Sequence, residues 1–142
     1  MKVVVDDLQD LEDGKLDFYG LSMPSRVGKS TVCIFYLSWI AGKRPNSHSA
    51  MGGHSGKLAK GFYGELLNLI NTREYKFSEI FPDSPLQKTS AEDFEINLDE
   101  PDRFATITCR GIDGTWTGAV DVSSDARLAL LSPRLCDCVL YQ

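Results

Sequence analysis

The spacing of apolar and polar residues predicts alternating strands and helices along this 142-residue chain. Apolar residues cluster over Leu16–Met23 and indicate a buried strand, which Pro24 ends because proline has no N–H to give a ladder. The segment Gly28–Ala41 is apolar almost all the way round, which predicts a helix covered on most sides. Apolar residues at three- and four-residue steps predict an amphipathic helix over Gly56–Asn71.

Shorter patterns predict the elements that connect and follow these segments. Ser49–His54 is interpreted as a short second strand, and a helical turn is expected over Tyr75–Ile80. The prolines of Phe81–Ser90 predict a loop. Two alternating segments, Phe94–Leu98 and Phe104–Cys109, are separated by a turn sequence, which predicts a β-hairpin late in the chain.

The two ends of the chain give weaker patterns. The first 14 residues are rich in acidic side chains and are predicted to be a polar lead-in without a motif. Apolar residues return at Leu128–Leu131, but residues 126–142 form an atypical tail. Length and hydrophobic content suit one core, so residues 1–142 are interpreted as a single partial α/β domain with helices flanking its sheet.

The negative net charge of the chain makes binding of nucleic acid over its whole surface an unfavourable interpretation. The sequence carries 15 basic and 20 acidic side chains, a formal net charge of -5. A local basic face could still contact DNA, although lysines on a solvated helix are the simpler interpretation. The candidates for such a face are Lys43, Arg44, Lys57, Lys60 and Arg73.

Membrane insertion and metal binding by cysteine are not expected. The longest apolar run, Val32–Ile40, is about half of the roughly 20 residues that a membrane span needs. The amino terminus does not show the basic and then apolar pattern of a signal peptide, so we expect a soluble, intracellular protein. The cysteines lack the paired C-x-x-C spacing of zinc sites and are expected to be reduced thiols. They are Cys33, Cys109, Cys136 and Cys138.

The strongest chemical signal lies between the first strand and the first long helix. A tight loop there ends in Gly28-Lys29-Ser30, the final part of the phosphate-binding pattern G-x-x-x-x-G-K-[ST]. Such a loop presents backbone N–H groups, an ammonium and a hydroxyl to phosphates and Mg²⁺, at the positive end of a helix. A purely structural strand-to-helix turn is the alternative. The candidate nucleotide-binding residues are Pro24, Ser25, Arg26, Val27, Gly28, Lys29, Ser30 and Thr31.

The segment Met-Pro-Ser-Arg-Val-Gly-Lys-Ser-Thr at Met23–Thr31 resembles the deviant Walker A loop of the tailed-bacteriophage terminase large subunit. Later segments are similar to parts of the same family. Its next strand and helix are matched by Ala50–Ser55, Leu58–Phe62 and the ending Glu79–Pro82. The glycine-containing segment before its second acidic motif is matched by Arg110–Gly114 with Thr117–Gly118. The resemblance covers roughly residues 18–125.

The resemblance implies a RecA-like P-loop ATPase domain of the motor that packages viral DNA into a procapsid. It implies ATP and Mg²⁺ as cofactors, with viral DNA, the portal protein and the small terminase subunit as partners in the bacterial host cytoplasm. The family's motors assemble as rings. By position, Lys29 would contact the β- and γ-phosphates, Ser30 the magnesium ion and Thr31 the α-phosphate. Arg26 would stabilise the γ-phosphate, so Arg26 and Lys29 are the candidate catalytic residues.

Two departures from the family pattern bear on hydrolysis. Met23 stands where the first glycine is expected, and the apolar run Leu128–Leu131 is followed by no acidic pair. The acidic residues Asp121, Asp125 and Asp137 do not fit that position. We therefore expect a truncated or frame-disrupted member of the family, or a diverged fragment, that binds a nucleotide phosphate weakly and hydrolyses it poorly if at all.

Other functions have weaker support in the sequence. A nucleotide-binding or interaction module without hydrolysis is one alternative. A helicase would need a Walker B acid and a second RecA domain, and a kinase would need an arginine-bearing lid. His48 and His54 flank the predicted second strand as a candidate metal pair, although loop histidines are the simpler interpretation. Trp116 could stack on a base or a partner, or could lie in the core.

Overall fold

A computed structural model describes residues 2–24, 26–99, 104–114, 127–132 and 137–141, the last two ranges as backbone. In these ranges the helices are α1 (Lys2–Glu12), α2 (Lys29–Lys43), α3 (Gly56–Asn71) and α4 (Phe77–Ile80), with a 3₁₀ turn at Arg73–Tyr75. The strands are β1 (Phe18–Ser22), β2 (Ser49–Gly53), β3 (Leu86–Ser90), β4 (Glu95–Leu98), β5 (Ile107–Gly111), β6 (Arg127–Ser132) and β7 (Asp137–Tyr141).

In the described part of the chain, these strands form one seven-stranded mixed sheet in the order β1-β7-β6-β2-β5-β4-β3. β2 runs parallel to β5 and β6, whereas β7 is antiparallel to both β6 and β1. β1, β2, β5 and β6 therefore point the same way, and the side of the sheet where they end is called the carboxyl edge. The prediction of an α/β fold, with helices packed on a sheet, is confirmed.

The amphipathic helix and the hairpin predicted from the sequence are both confirmed. α3 has the predicted bounds, and its apolar residues lie against β2, β4 and β5. β4 and β5 are antiparallel neighbours, with Ile96 opposite Ile107. The predicted loop over 81–90 is wrong at Leu86–Ser90, which forms β3 and pairs with β4. The three central residues of β3 are exposed, so its position at the outer end of the sheet explains the polar sequence.

The first 14 residues were predicted to be a polar lead-in with at most a helical turn, and the structure shows a helix of 11 residues there. Val4, Leu8 and Leu11 recur at helical spacing on one side of α1, and that side packs into the core beside β1. Burial raises the pKa of Tyr19, and so does the hydrogen bond that its hydroxyl donates to the Asp7 carboxylate of the same helix. α1 is thus an integral layer over the first strand.

A buried carboxylate fastens α1 to the end of α2. The Glu12 side chain is fully buried, and its Oε1 lies 2.7 Å from Arg44 Nη2 and 3.6 Å from Lys43 Nζ. Lys43 also places its ammonium 4.8 Å from the centre of the Trp39 ring. A buried carboxylate is stable only when its charge is compensated, and Lys43 and Arg44 compensate the charge of Glu12. They are therefore poor candidates for the basic DNA-binding face considered from the sequence.

The core lies between the sheet and the helices α1, α2 and α3. Its largest fully buried side chains are Leu11, Leu37, Ile40, Met51, Leu66, Ile96, Leu98, Ile107, Thr108, Cys33 and Cys109. Cys33 and Cys109 are both buried, and burial raises the pKa of Cys109 to about 12. Cys136 lies outside the described residues, and so does the side chain of Cys138.

Helix α2 is covered on most sides, as predicted, and one side of it remains open. Most of its apolar residues are buried, but Phe35 is 45% exposed and Trp39 is only half-buried. Helix α2 contacts α3 and β7, whereas its Phe35 side opens toward α1 and the 3₁₀ turn. The apolar sequence of this helix therefore includes a surface that the described residues leave partly uncovered.

Candidate functional site

The predicted phosphate loop connects β1 to α2 at the carboxyl edge. Gly28 is the residue before the helix and has a φ of 91°, a left-handed conformation that favours glycine. A Cβ at Gly28 would meet no atom within 4 Å, so glycine is required here by the backbone conformation and the space above it is open. Arg26 also has a positive φ, 65°. Two left-handed residues in one short connection turn the chain sharply from strand to helix.

The amino terminus of α2 has no cap of its own. Gly28 offers no side chain, and the first turn of α2 contains no acidic residue. By contrast, α3 is capped by Ser55, whose Oγ accepts a hydrogen bond of 3.4 Å from the Leu58 N–H. An uncapped helix of 15 residues presents unpaired backbone N–H groups and a partial positive charge, which together favour an anion.

Lys29 adds a full positive charge at this helix terminus. It is the first residue of α2, a position where a cation is unfavourable unless an anion or other acceptor lies nearby. Its ammonium donates hydrogen bonds to the carbonyl oxygens of Met23 and Pro24, the latter at 3.0 Å. The side chain therefore folds back across the loop, and its charge lies beside the residues that would surround a phosphate.

The other predicted loop residues are accessible in differing degrees. Arg26 and Thr31 are exposed, and Ser30 is half-buried. Arg26 forms no ion pair with any described residue, so its guanidinium is available to an anionic ligand. Val27, 42% exposed, contributes an apolar surface beside the backbone groups. Ser25 lies outside the described residues.

The donor set of the loop fits a phosphate and, through that phosphate, a magnesium ion. Backbone N–H groups and Lys29 are suited to phosphate oxygens, and the Ser30 hydroxyl is a suitable oxygen ligand for Mg²⁺. The described residues contain no group of three or more His, Cys, Asp or Glu side chains that could hold a metal. This does not conflict with magnesium binding, because Mg²⁺ commonly takes one or two protein ligands and completes its shell with substrate phosphates and water.

The backbone register brings an acidic position to the same edge. Asp137 is the first residue of β7, and it pairs with Ser22 on one side and Ser132 on the other. Ser22 is the last residue of β1, directly before the loop. The sequence alone did not predict that Asp137 lies near the loop. Their proximity depends on the pairing of β1 with an antiparallel strand more than 100 residues further along the chain.

The two histidines do not form a metal pair. His48 precedes β2 and His54 follows it, so the strand separates them by about 20 Å. The His48 Nδ1 lies 3.2 Å from the Ala105 carbonyl oxygen, and its ring meets the edge of Phe104. His54 is exposed at the carboxyl edge. The metal hypothesis is therefore wrong for this pair, and His48 has a structural role.

Several remaining candidates are not brought to the loop by the structure. Lys57 and Lys60 are exposed on α3, and Arg73 is exposed on the 3₁₀ turn. Trp116, Asp121 and Asp125 lie outside the described residues. Among the helices that the structure describes, none combines the length and apolar character needed to cross a membrane.

Sequence reasoning missed a cavity beside the loop. An apolar cavity of about 450 Å³ lies between α1 and α2, and Thr31 of the loop forms part of its wall. A signal was present in the sequence, since Val5 and Gln9 are four residues apart on one side of α1. The sequence does not show that this side of α1 faces α2 across the cavity.

Comparisons with known proteins give no relative from which function could be carried over. No family model, curated protein or solved structure matches the chain. The functional interpretation consequently depends on the chemistry of the loop and its surroundings, together with the resemblance in sequence described above.

Proposed function

We propose that the loop Met23–Thr31 binds the phosphates of ATP with Mg²⁺. The observation that carries this proposal is the uncapped amino terminus of α2, with Lys29 as its first residue and the open left-handed Gly28 before it. A helix terminus that leaves its N–H groups unpaired and adds a lysine attracts an anion, because the partial charge of the helix and the full charge of the ammonium have the same sign. A structural turn would be better served by a capping Ser or Asp, as at Ser55 of α3.

In this function the loop residues act by neutralising and orienting charge. Lys29 neutralises the outer phosphates, the N–H groups of the α2 terminus bind phosphate oxygens, and the Ser30 hydroxyl is the protein's ligand for the magnesium ion. Arg26 adds a second positive charge from the exposed side. ATP with Mg²⁺ supplies the transferable phosphoryl group, and the chain contributes position and electrostatic stabilisation.

Within this function, the ATPase domain of a phage terminase large subunit is the specific candidate. Its support is the sequence resemblance of Met23–Thr31 to that family's loop and of Ala50–Ser55 to its next strand. Under this proposal the partners are viral DNA, the portal protein and the small terminase subunit, in the host cytoplasm. The RecA-like identity of the sheet, the ring assembly and the packaging role belong to the same proposal.

A nucleotide-binding module without hydrolysis is the second candidate. The observation that favours it is the sequence at the end of β6, where Ser132 is followed by Pro133 and Arg134 and not by the acidic pair of a hydrolytic P-loop protein. Release of inorganic phosphate from ATP separates the two candidates. Release that disappears in the Lys29→Ala variant supports the motor, and nucleotide binding without release supports the module.

Lys29→Ala is expected to weaken ATP–Mg²⁺ binding by roughly ten- to a hundredfold, because it removes charge-assisted hydrogen bonds to phosphate. Isothermal titration calorimetry with ATP and with inorganic triphosphate measures the change. Lys60→Ala is the matched control, since Lys60 is an exposed lysine on α3. Equal affinities of the two variants for both ligands would exclude the loop as the phosphate site.

Asp137→Asn is expected to reduce the gain in ATP affinity that Mg²⁺ provides, and to leave binding in the presence of EDTA unchanged. The reason is the register of Asp137 with Ser22, which puts an acidic position next to the loop. Asp83→Asn is the control, because Asp83 is exposed in the connection before β3. If Asp137→Asn keeps the full effect of magnesium, the acid that assists Ser30 lies elsewhere in the chain.

A further inference from the structure

The outer side of α2 presents an apolar surface that the described residues leave partly open. Phe35 and Trp39 lie four residues apart on this helix, about 6 Å along its axis, and form a ridge. On one side of the ridge is the cavity of about 450 Å³ between α1 and α2. On the other side is a groove of about 210 Å³, whose far wall includes Tyr75 and Ile80. Phe35 and Trp39 line both openings, so the ridge separates them.

Apolar side chains are exposed on both sides of this ridge. Val5 of α1 is 57% exposed and lines the cavity, and Ile80 of α4 is 61% exposed and lines the groove. Tyr75 packs edge-on against Phe35, with 5.6 Å between the ring centres, and is also exposed. Single exposed apolar residues are common on protein surfaces, but a group of them around two apolar openings indicates a protein–protein contact.

The same surface supplies both parts of a fit between two molecules. The cavity is an apolar opening on the α1 side of the ridge, and Ile80 is an exposed apolar side chain on the opposite side. A rotation of 180° about an axis through the ridge exchanges its two sides. The rotation therefore brings Ile80 of each molecule to the cavity of the other, which is the self-complementarity that a twofold interface requires.

Charge favours this arrangement over one in which two α1 helices meet. α1 carries Asp6, Asp7 and Asp10 on its exposed and half-buried positions, so two copies of it would repel each other. The segment on the other side of the ridge, residues 73–80, has two basic and two acidic side chains and thus no net charge. Placing α1 against this segment avoids the repulsion. It also brings Asp6 toward Arg73, an exposed arginine that forms no ion pair with a described residue.

We propose that this surface joins two copies of the chain about a twofold axis through the ridge, with Ile80 of each copy in the cavity between α1 and α2 of the other. The contact is independent of the nucleotide proposed above. It also differs from a ring, because both copies use the same surface and the assembly closes at two. A helix of another protein is the competing occupant. The second copy is preferred because this chain itself carries both the projecting side chain and the cavity.

The first experiment measures self-association of the full chain by sedimentation velocity over a range of concentrations. We expect a reversible equilibrium between monomer and dimer. Ile80→Asp is expected to raise the dissociation constant of the dimer by about tenfold or more, because it would place an unpaired charge in an apolar cavity. Ile112→Asp is the matched control, since Ile112 is 64% exposed and lines neither opening. The control is expected to leave the dissociation constant within about twofold.

The second experiment tests the arrangement of the two copies. In the proposed dimer, Ile80 of one copy lies near Val5 of the other, and each residue is on the opposite side of the axis from its own counterpart. An equimolar mixture of the Val5→Cys and Ile80→Cys variants is therefore expected to form a disulfide-linked dimer on oxidation by oxygen with a copper catalyst. Each variant alone is expected to form little. The native cysteines are present in all three samples, so cross-linking through them appears equally in each.

A dimer that is weakened by Ile80→Asp, unchanged by Ile112→Asp and cross-linked only in the mixture would confirm the proposal. A chain that stays monomeric up to about 100 µM would overturn it and assign the surface to another occupant. Association beyond two copies, or equal effects of the two aspartate variants, would overturn it as well. Cross-linking of Ile80→Cys alone, as strong as in the mixture, would exclude the twofold arrangement. The cross-linking result decides the question if Ile80→Asp impairs folding.

Discussion

Replacing Gly111 by alanine is expected to lower the free energy of unfolding by about 3 kcal/mol, the upper part of the usual range for overpacking. Gly111 ends β5, and a Cβ there would lie 2.7 Å from the Gly56 nitrogen and 2.8 Å from the Ser55 carbonyl carbon. Both are backbone atoms at the beginning of α3, and they cannot move away as a flexible side chain can. Urea unfolding and the thermal midpoint, which should fall by about 10 °C, measure the effect.

A glycine on the exposed side of α3 provides the control for Gly111. A Cβ at Gly61 meets no atom within 4 Å, and Gly61 is exposed within the helix. Gly61→Ala should therefore stabilise the protein by about 0.5–1 kcal/mol, since alanine loses less backbone freedom on folding. Opposite signs for the two substitutions would confirm that close packing at the end of β5 requires glycine. A loss below about 0.5 kcal/mol at Gly111 would show that α3 can shift outward.

Arg44→Met is expected to destabilise the protein by about 2–4 kcal/mol, because it removes a cation that lies 2.7 Å from the buried carboxylate of Glu12. Arg44 is 42% exposed, so solvent reduces the loss below that of a fully buried pair. Arg73→Met, at an exposed arginine of the 3₁₀ turn, should change stability by less than about 0.5 kcal/mol. Urea unfolding of the two variants side by side tests the difference.

A double variant at Glu12 and Arg44 shows whether the loss of stability in Arg44→Met comes from lost packing or from the uncompensated charge of Glu12. If the cost of Arg44→Met comes from the buried charge, then Glu12→Leu combined with Arg44→Met should recover most of the stability. Additive losses would instead assign the cost to packing of the two side chains. Either result measures how firmly α1 is held, and α1 forms one wall of the cavity beside the loop.

The elements that the sequence predicted correctly are those whose type depends on residues close together in the chain. The predicted strand before the loop contains β1, the long apolar segment contains most of α2, and α3 has the predicted bounds. Glycine at position 28 and lysine at 29 likewise give the loop its left-handed turn and its charge. Each of these features depends on neighbours a few residues apart.

The features that could not be predicted depend on partners far along the chain. β3 has an exposed, polar sequence next to two prolines, and it is a strand only because β4 pairs with it. Glu12 is an acidic residue in an acid-rich segment, and its burial depends on Arg44. The same holds for the candidate site, since the cavity requires α1 to meet α2 and Asp137 reaches the loop only through the register of β7.

The position of β7 also sets the order in which the sheet can be completed. In the described part of the chain, β1 lies at one end of the sheet beside β7, which comes more than 100 residues later in the sequence. Residues 18–22 therefore pair with residues 137–141 across a long loop, and closing so long a loop makes the pairing slow. We therefore expect the strand that precedes the candidate loop to be secured late in folding.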